Sequence, residues 1–317
     1  MTRLSLLAAP APPLAVEIAP RHVSAISVVR HGGTPLVGAH VSEALPVGAV
    51  VPGLNGANIA DRAAVVAALR RVLGRLGGRP RRTALVVPDI VAKVSLVRLE
   101  KVPARAQDLD QLMRWHVRKA APFRIEDAQV TYTPGLGLPD GGREYVLALA
   151  RRDVVREYED ACREAGLHAG IVDLATFSLV NAVLADPDRP TGDWLLVHLT
   201  PECGTIVILR GDDIIFYRNR AEGSEESLAD LVHQTAMYYE DRLGGSGTFA
   251  RVKIAGVADG EAGGLTAVRR DIEARLHTAT EGIDLGRVVA FADRIGPDAD
   301  LVNRIAPLVG VLAGAGL

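Results

Sequence analysis

LLVHLTPECGTIVILRGDDIIFYR, residues 195–218, decides how this chain folds. It reads as three short strands joined by two tight turns. Apolar and β-branched residues run to Leu199, resume from Thr205 to Leu209, and resume again after Gly211-Asp212-Asp213. About 180 residues earlier, residues 14–42 (LAVEIAPRHVSAISVVRHGGTPLVGAHVS) give the same unit: a strand, a turn near Ala19 to Arg21, a β-branched strand, the turn His31-Gly32-Gly33-Thr34 and a third strand. One supersecondary unit present twice implies a duplicated domain.

Each meander leads into a helix. The first is Asp61 to Leu76, with Val65, Val66, Leu69, Val72, Leu73 and Leu76 on one face and Gly77-Gly78 as its stop. The second is Glu225 to Leu243, with Ser224 as cap and Leu228, Leu231, Val232, Tyr239 and Leu243 on one stripe before Gly244. Strands follow at Thr83 to Val87 and Val252 to Ala255. Meander, helix and strand, twice over, specify an α/β plan built on two sheets. Between the halves, residues 88–150 hold an extended run, Lys93 to Leu99, an amphipathic helix, Asp108 to Ala120, ended by Pro122, and a two-strand unit folded at Pro139-Asp140-Gly141-Gly142. Helix Asp153 to Ala165, strand Ala169 to Asp173 and helix Thr176 to Leu184 follow. Such an insertion is where a shared fold carries partner contacts.

Composition narrows the function. A net charge of -2 over 317 residues argues against nucleic-acid binding, and the basic groups Arg70-Arg71, Arg79 to Arg82 and Arg151-Arg152 fall at helix ends and loops. Cys162 and Cys203 form no CxxC, and the eight histidines show no metal-ligand spacing, so buried free thiols and no metal are expected. The apolar run Leu4 to Ala9 is too short for a secretory signal, and Ile305 to Leu317 falls short of the roughly 20 residues of a membrane helix. A cytoplasmic location is expected, with any membrane association supplied by partners.

The duplicated plan resembles that of the actin-like ATPases, and the insertion narrows the resemblance to the type IV pilus assembly protein PilM family. KVSLVRLEKVP, a helix, APFRIEDAQVTY, YVLALARRDVVREYEDACREAGL and IVDLATFSLVNA are similar to that family's successive segments, with Lys93, Arg98, Pro103, Pro122, Phe123, Gly166, Leu167, Asp173 and Phe177 at its marked places. The resemblance implies an actin-like fold: duplicated βββαβα half-domains, each a mixed sheet flanked by helices, plus a small inserted α+β subdomain. The first domain would comprise residues 1–87, continued by 151–175 and the C-terminal helix 299–317. The insertion would be 88–150 and the second domain 176–298, with its smaller part around 221–250. The implied function is a cytoplasmic adaptor that holds the cytosolic N-terminal tail of PilN, a single-pass inner-membrane protein, between the first domain and the insertion. Other pilus components and a homo-oligomeric ring are further implied partners.

Actin-like ATPases place Asp-x-Gly at both meander turns and a glycine pair near the adenosine, because a carboxylate organises hydrated Mg²⁺ and glycine lets amides approach phosphate. Here Glu17-Ile18-Ala19 stands at the first turn, with Pro20 removing a donor, Ser24 at the family's lysine and Arg21 as a replacement charge. His198-Leu199-Thr200 and Pro201 stand at the second, and Ala255-Gly256-Val257-Ala258 keeps one glycine. The expectation is no enzyme activity and no ATP or Mg²⁺ cofactor, with a working ATPase as the alternative. A type II secretion platform module is another, although that class continues into a membrane helix and this chain ends at Leu317. A sugar kinase is disfavoured because no phosphate turn is intact. Gly244 to Gly247 lacks the lysine of a P-loop and reads as a helix stop. Asp212-Asp213 reads as a solvated hairpin pair, and Asp173 as a helix cap or a chemical group. On the insertion helix, Leu109, Leu112, Met113, His116 and Ala120 form the expected packing stripe. Trp115 is either an exposed anchor or buried; Arg98 and Leu99 on the extended run, with Val102 just after it, complete the candidate partner surface.

Overall fold

The structure, a computed structural model, describes residues 11–31, 34–77, 82–221, 228–245, 248–256, 262–293 and 295–317. Gly32, Gly33, Gly78, Ser224, Ser246, Gly247, Val257 and Ala258, singled out above, lie outside the described residues.

The first half begins with β1 (Leu14–Ile18), β2 (His22–His31) and β3 (Thr34–Ala44), followed by α1 (Arg62–Leu76) and β4 (Arg82–Val87). Asp61 caps α1, its carboxylate accepting from the Ala64 amide at 2.9 Å. After a short 3-10 turn at Asp89–Val91 come β5 (Ala92–Leu99), α2 (Ala106–Arg118), β6 (Ala128–Gly137) and β7 (Arg143–Arg151). The chain then returns through α3 (Arg152–Glu164), β8 (His168–Leu174) and α4 (Ala175–Ala185). The second half runs β9 (Asp193–Leu199), β10 (Cys203–Arg210), β11 (Asp213–Ala221), α5 (Leu228–Leu243), β12 (Arg251–Gly256), α6 (Ala262–Leu276), β13 (Thr280–Glu281), β14 (Ala290–Phe291) and α7 (Ala299–Gly314).

The duplication is explicit in the sheets. The first orders its strands β14-β3-β2-β1-β4-β8 and the second β11-β10-β9-β12-β13, each an antiparallel meander whose first strand pairs in parallel with the strand after the helix. β1 (LAVEI) and β9 (LLVHL) occupy equivalent places. Strand alternation sends Leu14, Val16 and Ile18 to one core and Ala15 to another; Leu195, Val197 and Leu199 part from Trp194 and Leu196 in the same way. The shared core lies between the two sheets around α4 and α7, and joins the halves. Gly310 of α7 sits so close to α4 that a Cβ there would lie 1.7 Å from the Ser178 carbonyl oxygen.

Three features depart from the sequence reading. α6 is the second helix of the βββαβα plan, but the sequence pattern gave it no bounds, since Gly263 and Gly264 in its first turn lower helix propensity and blur its apolar period. β14, expected within the second domain, pairs with β3 and extends the first sheet. On α2 the buried residues are Met113 and Val117, one turn apart, whereas His116 and Ala120 are exposed.

The insertion forms a three-stranded antiparallel sheet ordered β5-β7-β6. One face, with Tyr145, Leu147 and Leu149, packs under α2 against Met113 and Val117. Its other face is turned toward the rest of the molecule, where β11 meets both β5 and β6.

Candidate functional site

β1, β4 and β8 run parallel and end together, and so do β9 and β12, which places the two meander turns at carboxyl ends of strands where α/β proteins hold ligands. Glu17 and His198 are equivalent residues on these strands, each facing the inter-sheet side. In register with them lie Ser24 on β2 and Thr205 on β10.

His198 is buried, and its partner is a residue that the sequence did not mark. Asp89 projects from the turn after β4 and is wholly enclosed; its Oδ2 lies 3.2 Å from His198 Nδ1. The same carboxylate accepts the Thr176 amide at 2.9 Å, the Thr176 hydroxyl at 2.5 Å and the Thr205 hydroxyl at 2.9 Å. His198 Nδ1 is also 2.8 Å from Thr176 Oγ1, so it faces two acceptors and carries its proton there. Asn219 of β11 extends the row by donating to Thr205 at 3.2 Å. Burial alone would push the Asp89 carboxyl up; His198 and the Thr176 hydrogen bonds outweigh it and hold that pKa below the usual carboxylate range. First half, α4 and second half are thereby joined through one carboxylate.

The remaining turn positions are also satisfied from within the chain. Glu17 Oε2 lies 3.5 Å from His22 Nε2 across the β1–β2 turn, and the Ala19 amide donates to the His22 carbonyl at 3.0 Å. Burial opposes a charge on His22, but the hydrogen bond and charge of Glu17, together with Glu202, raise its pKa. Arg21 is exposed, and its carbonyl accepts from Leu45. Ser24 Oγ lies 3.0 Å from His40 Nε2. Thr200 closes its own turn, its hydroxyl accepting from the Cys203 amide at 3.1 Å. Gly256, at φ 102°, approaches β9 so closely that a Cβ would lie 1.8 Å from the Leu199 carbonyl oxygen. Its amide donates to Asn303 of α7 at 3.0 Å, so the one glycine retained at the adenosine loop serves packing. Pro20 and Pro201 lack amide protons, and the side chains of Glu17, His198 and Thr200 are engaged by groups of the chain itself.

A cavity of about 440 Å³, within the range of ligand pockets, opens elsewhere, between the insertion and the first half. Gln129, Thr131 and Thr133 of β6 and Val146 and Ala148 of β7 line one wall. β8 and α4 form the opposite wall through Val172, Asp173, Phe177, Val180 and Leu184. Asp213 and Ile214, at the start of β11, reach one end. Both β6 and β8 are end strands of their sheets. Consecutive residues of each line the cavity, so the groove runs along two sheet edges as well as over a face.

Asp173 stands inside this groove. Its Oδ1 accepts the Leu174 amide at 2.8 Å, whereas Oδ2 has only long contacts with Ser178 at 3.4 Å and Asn181 at 3.5 Å. Desolvation raises its carboxyl to about 6, with the nearby Asp89 charge adding to the effect. Asp173 does not cap α4, whose N-cap is Leu174 without a side-chain bond. Asp212 is exposed and pairs with Arg189 at 3.1 Å, as a solvated turn acid should.

The four expected partner residues do not line this groove. Leu99 is buried in the insertion's own core, and Val102 is half-buried against that core. Arg98 pairs with Asp140 at 3.2 Å at the surface. Trp115 is 64% exposed on α2, on the opposite side of the insertion sheet, which decides between its two readings in favour of exposure. Cys162 and Cys203 are free buried thiols, as expected; burial raises their pKa to about 12 and about 11. Among the described residues no His, Cys, Asp and Glu cluster could hold a metal, and no helix is long and apolar enough to cross a membrane.

The comparisons agree with this architecture. The chain is similar to the structure of a PilM–PilN type IV pilus biogenesis complex, with 18% identity, a TM-score of 0.78 and coverage of 97% of this chain and 98% of that one. It is also similar to a Bacteroides thetaiotaomicron protein with an actin-like ATPase fold and unknown function, at 8% identity and a TM-score of 0.50 over 93% and 94% of the two chains. The ethanolamine utilization protein EutJ of Carboxydothermus hydrogenoformans shows 11% identity and a TM-score of 0.50 over 96% and 90%. No curated protein sequence matches the chain. The fold is therefore actin-like. The sequence pattern of the family described as type IV pilus assembly protein PilM matches residues 15–242, so the chain belongs to the PilM family.

Proposed function

We propose that this protein is a cytoplasmic adaptor of a type IV pilus assembly machine. It holds the cytosolic N-terminal tail of a PilN-like inner-membrane protein in the groove between the insertion and the first half, and does so without turning over ATP. The observation that carries the reading is the groove itself: a cavity of about 440 Å³ bounded by two sheet edges and lined by Val172, Phe177, Val180 and Leu184. An extended tail adds backbone hydrogen bonds along such an edge and seats alternate side chains in the apolar wall. The absence of turnover is supported by His198, an imidazole that stands where a metal-organising acid would be required and is engaged by Asp89.

The test is calorimetry with a synthetic peptide of that tail. Binding to the wild-type chain, and its loss in Val180→Arg, supports the reading. No binding, or equal binding by the variant, overturns it. Mg-ATP titrated into the same protein gives no heat under this reading, and tight Mg²⁺-dependent affinity sinks the second clause.

A further inference from the structure

We propose that the groove selects an extended apolar segment that carries one cationic group, and that Asp173 is the residue that receives the cation. The proposal rests on the groove being the peptide site, and adds which chemistry the site takes.

Three observations point to this. The groove's backbone faces are open: β6 and β8 end their sheets, and among the described residues no other strand pairs with their outer edges. Its wall is apolar where β8 meets α4, around Val172, Phe177 and Val180. Its charged lining is of one sign, consisting of Asp173, Asp212 and Asp213, with no lysine, arginine or histidine.

Of these three acids, Asp212 is exposed and already has Arg189. Asp173 is the desolvated one, and its Oδ2 has no hydrogen bond shorter than 3.4 Å. A carboxylate held against apolar side chains with an under-used oxygen is costly unless a donor arrives. A lysine, arginine or free α-amine carried in by the segment provides that donor, and the low surrounding polarity strengthens the pair relative to water. An acidic segment is rejected by the same carboxylate, so the residue supplies specificity as well as affinity. Protonation of Asp173 competes with the cation, and its carboxyl titrates at about 6 in the free protein. The groups facing it are Ser178, Asn181 and the more distant Asp89, none of which supplies a positive charge.

The experiment is a double-mutant cycle read by fluorescence anisotropy, using the labelled tail peptide and a second peptide with its lysines and arginines replaced by norleucine. Asp173→Asn keeps the acceptor for the Leu174 amide and removes the charge. The expected result is that Asp173→Asn weakens the tail at least about tenfold, that the norleucine peptide loses a similar factor on wild type, and that the two changes together cost little more than either alone. Wild-type affinity falls as pH drops below about 6, whereas Asp173→Asn is flat there. Additive losses, or an unchanged affinity in Asp173→Asn, overturn the inference. Binding that survives Val180→Arg overturns the groove reading instead, so the two failures are distinguishable.

Discussion

His198 Nδ1 lies 3.2 Å from Asp89 Oδ2, and the two residues come from opposite halves of a duplicated fold. This contact stands where the resemblance to actin-like ATPases leads one to expect a metal-organising acid. The imidazole faces a carboxylate instead, and two threonine hydroxyls complete that carboxylate's shell.

Breaking the pair leaves a buried charge without its partner. Asp89→Ala and His198→Ala should each cost about 3 to 5 kcal/mol in urea unfolding, with the double variant well below the sum. Because the Asp89 pKa is lowered in the folded state, its contribution is complete above the ordinary carboxylate range and is lost as pH falls through the folded value. Acid unfolding of the wild type should therefore be steeper than that of Asp89→Asn.

Restoring an acid at this turn does not restore a site. His198→Asp sets a second carboxylate against Asp89, which raises the pKa of one of them. The variant should melt lower than wild type at pH 7.5 and recover part of the difference at pH 5.5. On the adaptor reading proposed above, calorimetry should detect no Mg-ATP binding by this variant.

Asp173 trades stability for its place in the groove. A carboxyl raised in the folded state to about 6 stabilises at pH values below the unfolded value relative to those above 6, so its penalty is fully present at pH 7.5. Asp173→Asn should raise stability there by about 1 to 3 kcal/mol, and by much less at pH 4.5. Urea midpoints at the two pH values check this.

Gly310 sets the distance between α4 and α7. Gly310→Ala drives a methyl into the Ser178 carbonyl, and backbone has nowhere to move within the shared core. A loss of about 3 kcal/mol or more is expected by thermal unfolding, against less than about 1 kcal/mol at Gly74→Ala, where nothing lies within 4 Å.

The two tryptophans offer a clean contrast. Trp194 is buried and donates to the Gly211 carbonyl at 2.9 Å, whereas Trp115 is 64% exposed. Iodide should quench only the redder part of the emission, and Trp115→Phe should abolish that quenching with a stability change within about 0.5 kcal/mol.

The sequence by itself determined the two meanders, the helices that follow them and the place of the insertion. Those features are local: alternation in LAVEI and LLVHL, the Asp61 cap and the glycine turns act over a few residues. The residues of both degenerate turns were legible for the same reason. Tertiary structure alone decided what the side chains of those turns meet. Asp89 meets His198 across 109 positions of chain, and nothing near Asp89 marks it as other than a turn residue. The groove was likewise beyond local reading, because it arises where the end strand of one sheet passes the end strand of another. Arg98 and Leu99 lie on β5, the end strand of the insertion sheet farthest from the groove, whereas β6, its other end strand, lines it. Pattern fixes which face of a strand is apolar; which edge remains open depends on the order in which the strands assemble.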